Sequence, residues 1–161
     1  MSSSVTLKGG LNVKVRWAKV EDAAKIARLE LNSSVYENRT VPFNYTHPQF
    51  TKLWEQRLSQ ENEYKTVIAT GPTRIYGFIT FKSRIEDGYI LALYIDPLYM
   101  RHGIGTLLMK TAEQMVIMSG GKKLKVDVEM LNNGAMAFYR SLHFSKVSVK
   151  LEHLIEMEKE L

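Results

Sequence analysis

The run Tyr89-Ile90-Leu91-Ala92-Leu93-Tyr94-Ile95 constrains this chain more than any other stretch. It is apolar along its whole length and far too short to cross a bilayer, so it reads as a strand with no side facing water. A strand covered on both sides belongs in the middle of a layered sheet. Pro97 ends it, and a long helix follows over residues 103–119. Its apolar stripe is Ile104, Leu107, Leu108, Thr111, Met115 and Met118. Gly120-Gly121 stops that helix.

The rest of the chain can be laid around this unit. Residues 12–17 alternate at period two and read as a first strand, and residues 21–32 and 48–60 carry helical spacing. Residues 33–47 between them are polar and irregular. Two β-rich runs, 64–70 and 75–82, are joined by Gly71-Pro72-Thr73 as a hairpin. After the long helix come a strand at 124–129, a helix at 132–142, and closing strands at 144–150 and 153–158. The order β-α-α-β-β-β-α-β-α-β-β predicts an α/β (α+β) fold. Its sheet is mixed, largely antiparallel and central, flanked by helices on both faces. Without repeats or a linker-like segment, residues 1–161 read as one domain.

Composition removes several classes of function. The chain has no cysteine, hence no disulfide framework, thiolate nucleophile or Cys-based zinc site. Its four histidines show no metal-ligand spacing, so no metal is expected. The N-terminus lacks the basic start and apolar stretch of a signal peptide, and no run suits a bilayer, so the expectation is cytoplasmic residence with no membrane partner. The formal charge of +5 favours anionic partners. The cations are spread, with Gly121-Lys122-Lys123-Leu124-Lys125 the densest group, which argues against a nucleic-acid-binding arm.

The junction Leu93-Tyr94-Ile95-Asp96-Pro97-Leu98-Tyr99-Met100-Arg101-His102-Gly103-Ile104-Gly105-Thr106 carries the most chemistry. The first amides of a helix have no intrahelical acceptor and sit at the positive end of its dipole. Glycine at 103 and 105 removes side chains that would hold a ligand away from them, and Arg101 and His102 add charge at the rim. This makes a cradle for phosphate oxygens; the same glycines would also serve close helix–sheet packing. A P-loop is excluded because no Gly-Lys-Ser/Thr follows. A dinucleotide fingerprint is excluded by the missing third glycine and the late position in the chain.

On these residues the chain resembles the GNAT superfamily of acyl-CoA-dependent N-acyltransferases. The turn Met100-Arg101-His102-Gly103-Ile104-Gly105 is similar to the family's (Arg/Gln)-x-x-Gly-x-(Gly/Ala), with methionine at the first place. Downstream, Asn132, Ala135, Tyr139 and Phe144 fall in register with Asn-x-x-Ala-x-x-x-Tyr-x-x-x-Gly-Phe, with His143 in place of glycine. The resemblance implies acetyl-CoA as co-substrate. Its pyrophosphate would lie on the amides of Arg101, His102, Gly103, Ile104, Gly105 and Thr106. Its pantetheine and acetyl portions would lie on the backbone of Leu93, Tyr94 and Ile95, beside a β-bulge, with Asn132 also in contact. It implies an amine-bearing acceptor, and dimers are common in the family.

Acetyl transfer to an amine needs a proton acceptor, because a model lysine amine has a pKa near 10.4. It also needs a weak acid for the departing thiolate. By resemblance Tyr139 is that acid; the alternative is a core tyrosine with a satisfied hydroxyl. Asp127 is the candidate base, with pairing to Lys125 or another lysine as its alternative, Glu129, Glu86 and Asp87 as weaker candidates, and by resemblance a water chain alone as a further alternative. By the same resemblance the acceptor site falls within 33–57, where Tyr36, Arg39, Phe43, Tyr45 and Trp54 would form its wall or simply pack. A non-catalytic CoA-binding or regulatory domain is the rival reading.

Overall fold

The computed structural model describes residues 1–36 and 44–161. Among them run β1 (Ser2–Thr6), β2 (Asn12–Trp17), α1 (Ala23–Tyr36), α2 (His47–Ser59), β3 (Tyr64–Thr70) and β4 (Ile75–Ser83). Then follow β5 (Asp87–Ile95), α3 (Ile104–Met118), β6 (Lys123–Glu129), α4 (Asn133–Ser141), β7 (Ser145–Lys150) and β8 (Leu154–Glu160). The strands hydrogen-bond in the order β1-β2-β3-β4-β5-β6-β8-β7. β5 and β6 are parallel, whereas β1–β2, β2–β3, β6–β8 and β7–β8 are antiparallel, so the sheet is mixed and mostly antiparallel. β1 is absent from the sequence reading because Ser2-Ser3-Ser4-Val5-Thr6 has no apolar alternation. It is exposed throughout and exists by main-chain pairing with β2.

The described chain forms two compact units, Met1–Thr80 with Ala92–Leu108, and Phe81–Leu91 with Met109–Leu161. In the first, Ala23, Ile26 and Ala27 of α1 and Phe50 and Trp54 of α2 close over Ile68, Ile75, Phe78 and Tyr94. Trp54 stands edge-on to Phe78 at 5.2 Å between ring centroids, and its Nε1–H donates to buried Glu30 Oε2 at 3.0 Å. α2 begins with a capping box between Thr46 and Gln49. On the other side of the same strands, the Cβ position of Gly77 lies 2.7 Å from Ile95 Cδ1 and 3.4 Å from Leu108 Cδ1 of α3.

Ahead of α1, Arg16 grips Asp22 with both terminal guanidinium nitrogens, Nη1 and Nη2, at 2.8 and 2.9 Å, and Lys19 N–H donates to the same carboxylate at 2.8 Å. Burial pushes the Asp22 pKa up, but the Arg16 hydrogen bond, the Lys19 amide and both charges outweigh it, leaving it below the usual value. A depressed folded pKa contributes stability in full above the unfolded value near 3.9, and loses it as pH falls through the folded value. Asp22→Asn is therefore expected to cost about 1–2 kcal/mol at neutral pH. In urea melts the gap from the parent should shrink below about pH 4; a gap independent of pH would show that charge is not the cause.

In the second unit β8 lies between β6 and β7, and Gly88 of β5 meets Val116 of α3 and Leu124 of β6. α4 closes with a left-handed residue. His143 N–H bonds Arg140 O and Phe144 N–H bonds Tyr139 O, and His143 takes φ 72° at the place glycine prefers.

Two sequence expectations are corrected. β4, not β5, is the strand covered on both sides: Ile75 to Phe81 are all buried, while Leu91 in β5 is 44% exposed. The buried stripe of α3 is Ile104, Leu108, Ala112 and Val116 with Met109, and Met118 is 87% exposed. This helix is apolar around most of its girth, so spacing alone does not choose the face.

Candidate active site

The turn into α3 is built from left-handed backbone. Arg101 has φ 65° and Gly103 φ 88°, flanking His102, the kind of alternation that points successive amides into one concavity. His102 Nδ1 lies 3.1 Å from Tyr99 O and 3.0 Å from Met100 O. Carbonyls only accept, so Nδ1 carries a hydrogen and the ring ties the turn back on itself. The first main-chain bond into α3 is Leu107 N–H to Gly103 O. The amides of His102, Gly103, Ile104, Gly105 and Thr106 have no acceptor among the described residues. A Cβ on Gly103 would meet nothing within 4 Å, so the space before these amides is open. Five donors at a helix N-terminus suit anionic oxygens, and the residues present fit a diphosphate.

β5 supplies a second set of main-chain groups. Its parallel ladder with β6 ends at Ile90↔Val126, while β5 continues to Ile95 and β6 continues paired with β8. Among the described residues no β5–β6 pair follows Ile90↔Val126. The side-chain alternation of β5 also slips. Gly88 points at α3, yet Ala92 and Tyr94 join the α1–α2 core and Ile95 turns to Leu108. A strict period of two would put 88, 92 and 94 on one face; a one-residue slip between them is what a β-bulge produces.

In the second unit Tyr139 is the buried residue of α4, 7% exposed, with Phe138 and Phe144 each edge-on at 5.4 Å. Asn132 caps α4 through Oδ1, which accepts from Ala135 N–H at 3.0 Å, leaving its amide nitrogen without a partner among the described residues. Asp127 accepts from Tyr89 O–H at 2.5 Å and lies 3.4 Å from Lys150 Nζ. The Asp127–Lys150 approach is an ion pair without hydrogen-bond geometry, since Asp127 Oδ1 makes no hydrogen bond. Lys125 turns instead to Asp87 at 2.9 Å. Tyr89, and not Asp127, lines the cavity of about 260 Å3 beside Lys82, Lys125 and Lys150. The sequence reading has Tyr89 only as a strand residue, because its meeting with Asp127 depends on the β5–β6 register, which no local pattern prints.

Of the acceptor wall, Arg39, Phe43 and the side chain of Tyr36 lie outside the described residues. Trp54 and Phe50 are core, and Tyr45 is half exposed and stacks on Phe50 at 5.8 Å. Among the described residues no cluster suits a metal ion, and no helix is long and apolar enough to cross a membrane.

The chain is similar to known proteins in sequence and in fold. Residues 29–144 match the Acetyltransferase (GNAT) family. N-alpha-acetyltransferase 30 of Homo sapiens is 33% identical over 63 residues, which is 39% of this chain and 17% of that protein. The matched region thus spans less than a fifth of the curated relative. Among solved structures, the GNAT domain of S. lividans PAT superposes with a TM-score of 0.83 at 14% identity, covering 99% of this chain and 97% of that one. The PaiA N-acetyltransferase of Thermoplasma acidophilum, in complex with coenzyme A, gives 0.76 at 20% identity over 94% of this chain and 100% of its own.

Proposed function

The chain belongs to the acetyltransferase (GNAT) family, and from that premise we propose that it transfers an acetyl group from acetyl-CoA to a primary amine. The observation that carries this reading is the row of five unbonded amides at the left-handed turn before α3. Those amides, from His102 to Thr106, would hold the pyrophosphate, with Arg101 at the rim. The main chain of Leu93, Tyr94 and Ile95 would hold the pantetheine arm, and by the family resemblance Asn132 would contact the cofactor. When bound, acetyl-CoA supplies the acetyl group as a thioester and a thiol as leaving group. Tyr139 is the proton donor for that group. Asp127 is the proton acceptor for the amine, reached through the Tyr89 hydroxyl because its carboxylate is engaged there. Acetyl-CoA is made and used inside cells, which agrees with cytoplasmic residence.

The rival, a CoA-binding domain without catalysis, draws on Met100 and His143. His143 keeps the positive φ that glycine would take, so that substitution leaves the turn intact and weakens the rival. Calorimetry is the test. CoA and acetyl-CoA are expected to bind one-to-one with Kd in the range of about 1 μM to 1 mM, the usual span for enzyme substrates. Absence of heat with folded protein would sink the reading. Thiol release with a panel of amines then separates enzyme from binder.

A further inference from the structure

The first unit holds a cavity of about 680 Å3, a size typical of small-ligand sites, whose lining gathers Lys25, Arg28, His47 and Arg74 around the exposed Leu98. Each cation has a partner other than a carboxylate. Arg28 Nη2 lies 3.1 Å from His47 Nδ1, while His47 Nε2 lies 2.8 Å from Ala24 O. A carbonyl only accepts, so Nε2 carries the hydrogen and Nδ1 offers its lone pair to Arg28. Lys25 Nζ donates to Thr73 O at 3.3 Å. Arg74 donates to Tyr99 Oη at 3.4 Å, with its guanidinium 5.6 Å from that ring's centroid.

None of the three pairs with a carboxylate among the described residues. The one acid of the lining, Asp96, accepts from Leu98 N–H at 3.0 Å. By contrast Arg16, Lys123, Lys125, Lys150 and Lys159 each meet a carboxylate. Here the cations line one cavity without a carboxylate partner, and guanidinium forks match planar anionic groups.

We infer that this cavity binds carboxylate groups of the amine acceptor, so that acidic acceptors are preferred over neutral ones. The inference rests on the acetyltransferase reading for what carries the carboxylate. It does not rest on it for the anion site itself. The lining comes from α1, the start of α2 and the turns at 73–75 and 96–98, apart from the amides assigned to the pyrophosphate. A second source of the same chemistry is the 3′-phosphate of CoA, and the experiment separates the two.

Two peptides matched except for Asp/Glu against Asn/Gln after the N-terminal residue serve as acceptors. The acidic one is expected to have a kcat/KM higher by about tenfold, an advantage that fades as salt rises from about 0.05 to 0.3 M. Arg28→Glu should bring the ratio to unity or invert it, and Arg74→Gln should lower it by about threefold. Free glutamate as acceptor tells a small molecule from a peptide as the source. Calorimetry with CoA and dephospho-CoA accompanies each variant. Equal rates for both peptides in the parent would overturn the inference, as would a loss of CoA affinity in Arg28→Glu that dephospho-CoA escapes. Anisotropy of the labelled acidic peptide, without CoA, decides the anion site even if no acetylation occurs. Binding that survives Arg28→Glu unchanged sinks the site, whereas absent CoA binding sinks only the enzyme reading.

Discussion

Tyr139→Phe is expected to lower kcat by about 10²–10⁴-fold, the usual worth of a positioned general acid, while CoA affinity stays near that of the parent. The substitution removes one oxygen and leaves the ring. Tyr139 is buried between Phe138 and Phe144, so the packing of α4 should survive and the melting temperature should fall by only a few degrees. The size of the effect follows from acidities. A phenol near pKa 10 gives its proton to a thiolate whose conjugate acid lies near 8.5 at an uphill cost of about 2 kcal/mol. Water, a far weaker acid, faces a gap several times larger. A burst experiment that isolates the chemical step is the measurement to make. If kcat is unchanged while the fold is intact, Tyr139 is a core aromatic and proton donation falls to solvent. Loss of CoA binding together with the fold would instead mark it as structural.

The sequence printed most of this site because the site is local. The turn from Ile95 to Thr106 is one continuous segment, and its left-handed backbone follows from where Gly103 falls and from the helix start behind it. The α4 motif is equally contiguous, and Asn132 caps its helix as an asparagine before Ala135 should. What escaped was set by pairing and packing. Tyr89 reaches Asp127 only through the β5–β6 register. Leu91 reads as core, yet it is nearly half exposed because the alternation of β5 slips beside it. Arg28, Lys25 and Arg74 come from α1 and the β3–β4 turn, and no spacing rule joins positions that far apart. By resemblance Trp54 reads as wall or packing; it is core because α2 turns it onto Phe78 and Glu30.

Gly103→Val should weaken CoA binding by about 100-fold or more while costing only about 1–2 kcal/mol of stability. The imbalance is the informative part. At φ 88° a β-branched residue is strained, and relief requires the turn to rotate out of its left-handed form. The protein itself offers no steric objection, since an added Cβ meets nothing within 4 Å. The strain therefore falls on the amides of the turn. Each charge-assisted bond to a phosphate oxygen contributes about 1.5–3 kcal/mol, so misdirecting two of them accounts for the predicted loss. Gly103→Ala isolates the backbone part, because its single methyl adds strain with little bulk and should give an intermediate loss. Titration of both variants with CoA, beside their thermal melts, reads the two quantities separately. If Gly103→Val binds CoA within about threefold of the parent, the amides of this turn do not hold the pyrophosphate. If it loses binding only in proportion to its stability, general destabilisation is the cause and the cradle is not.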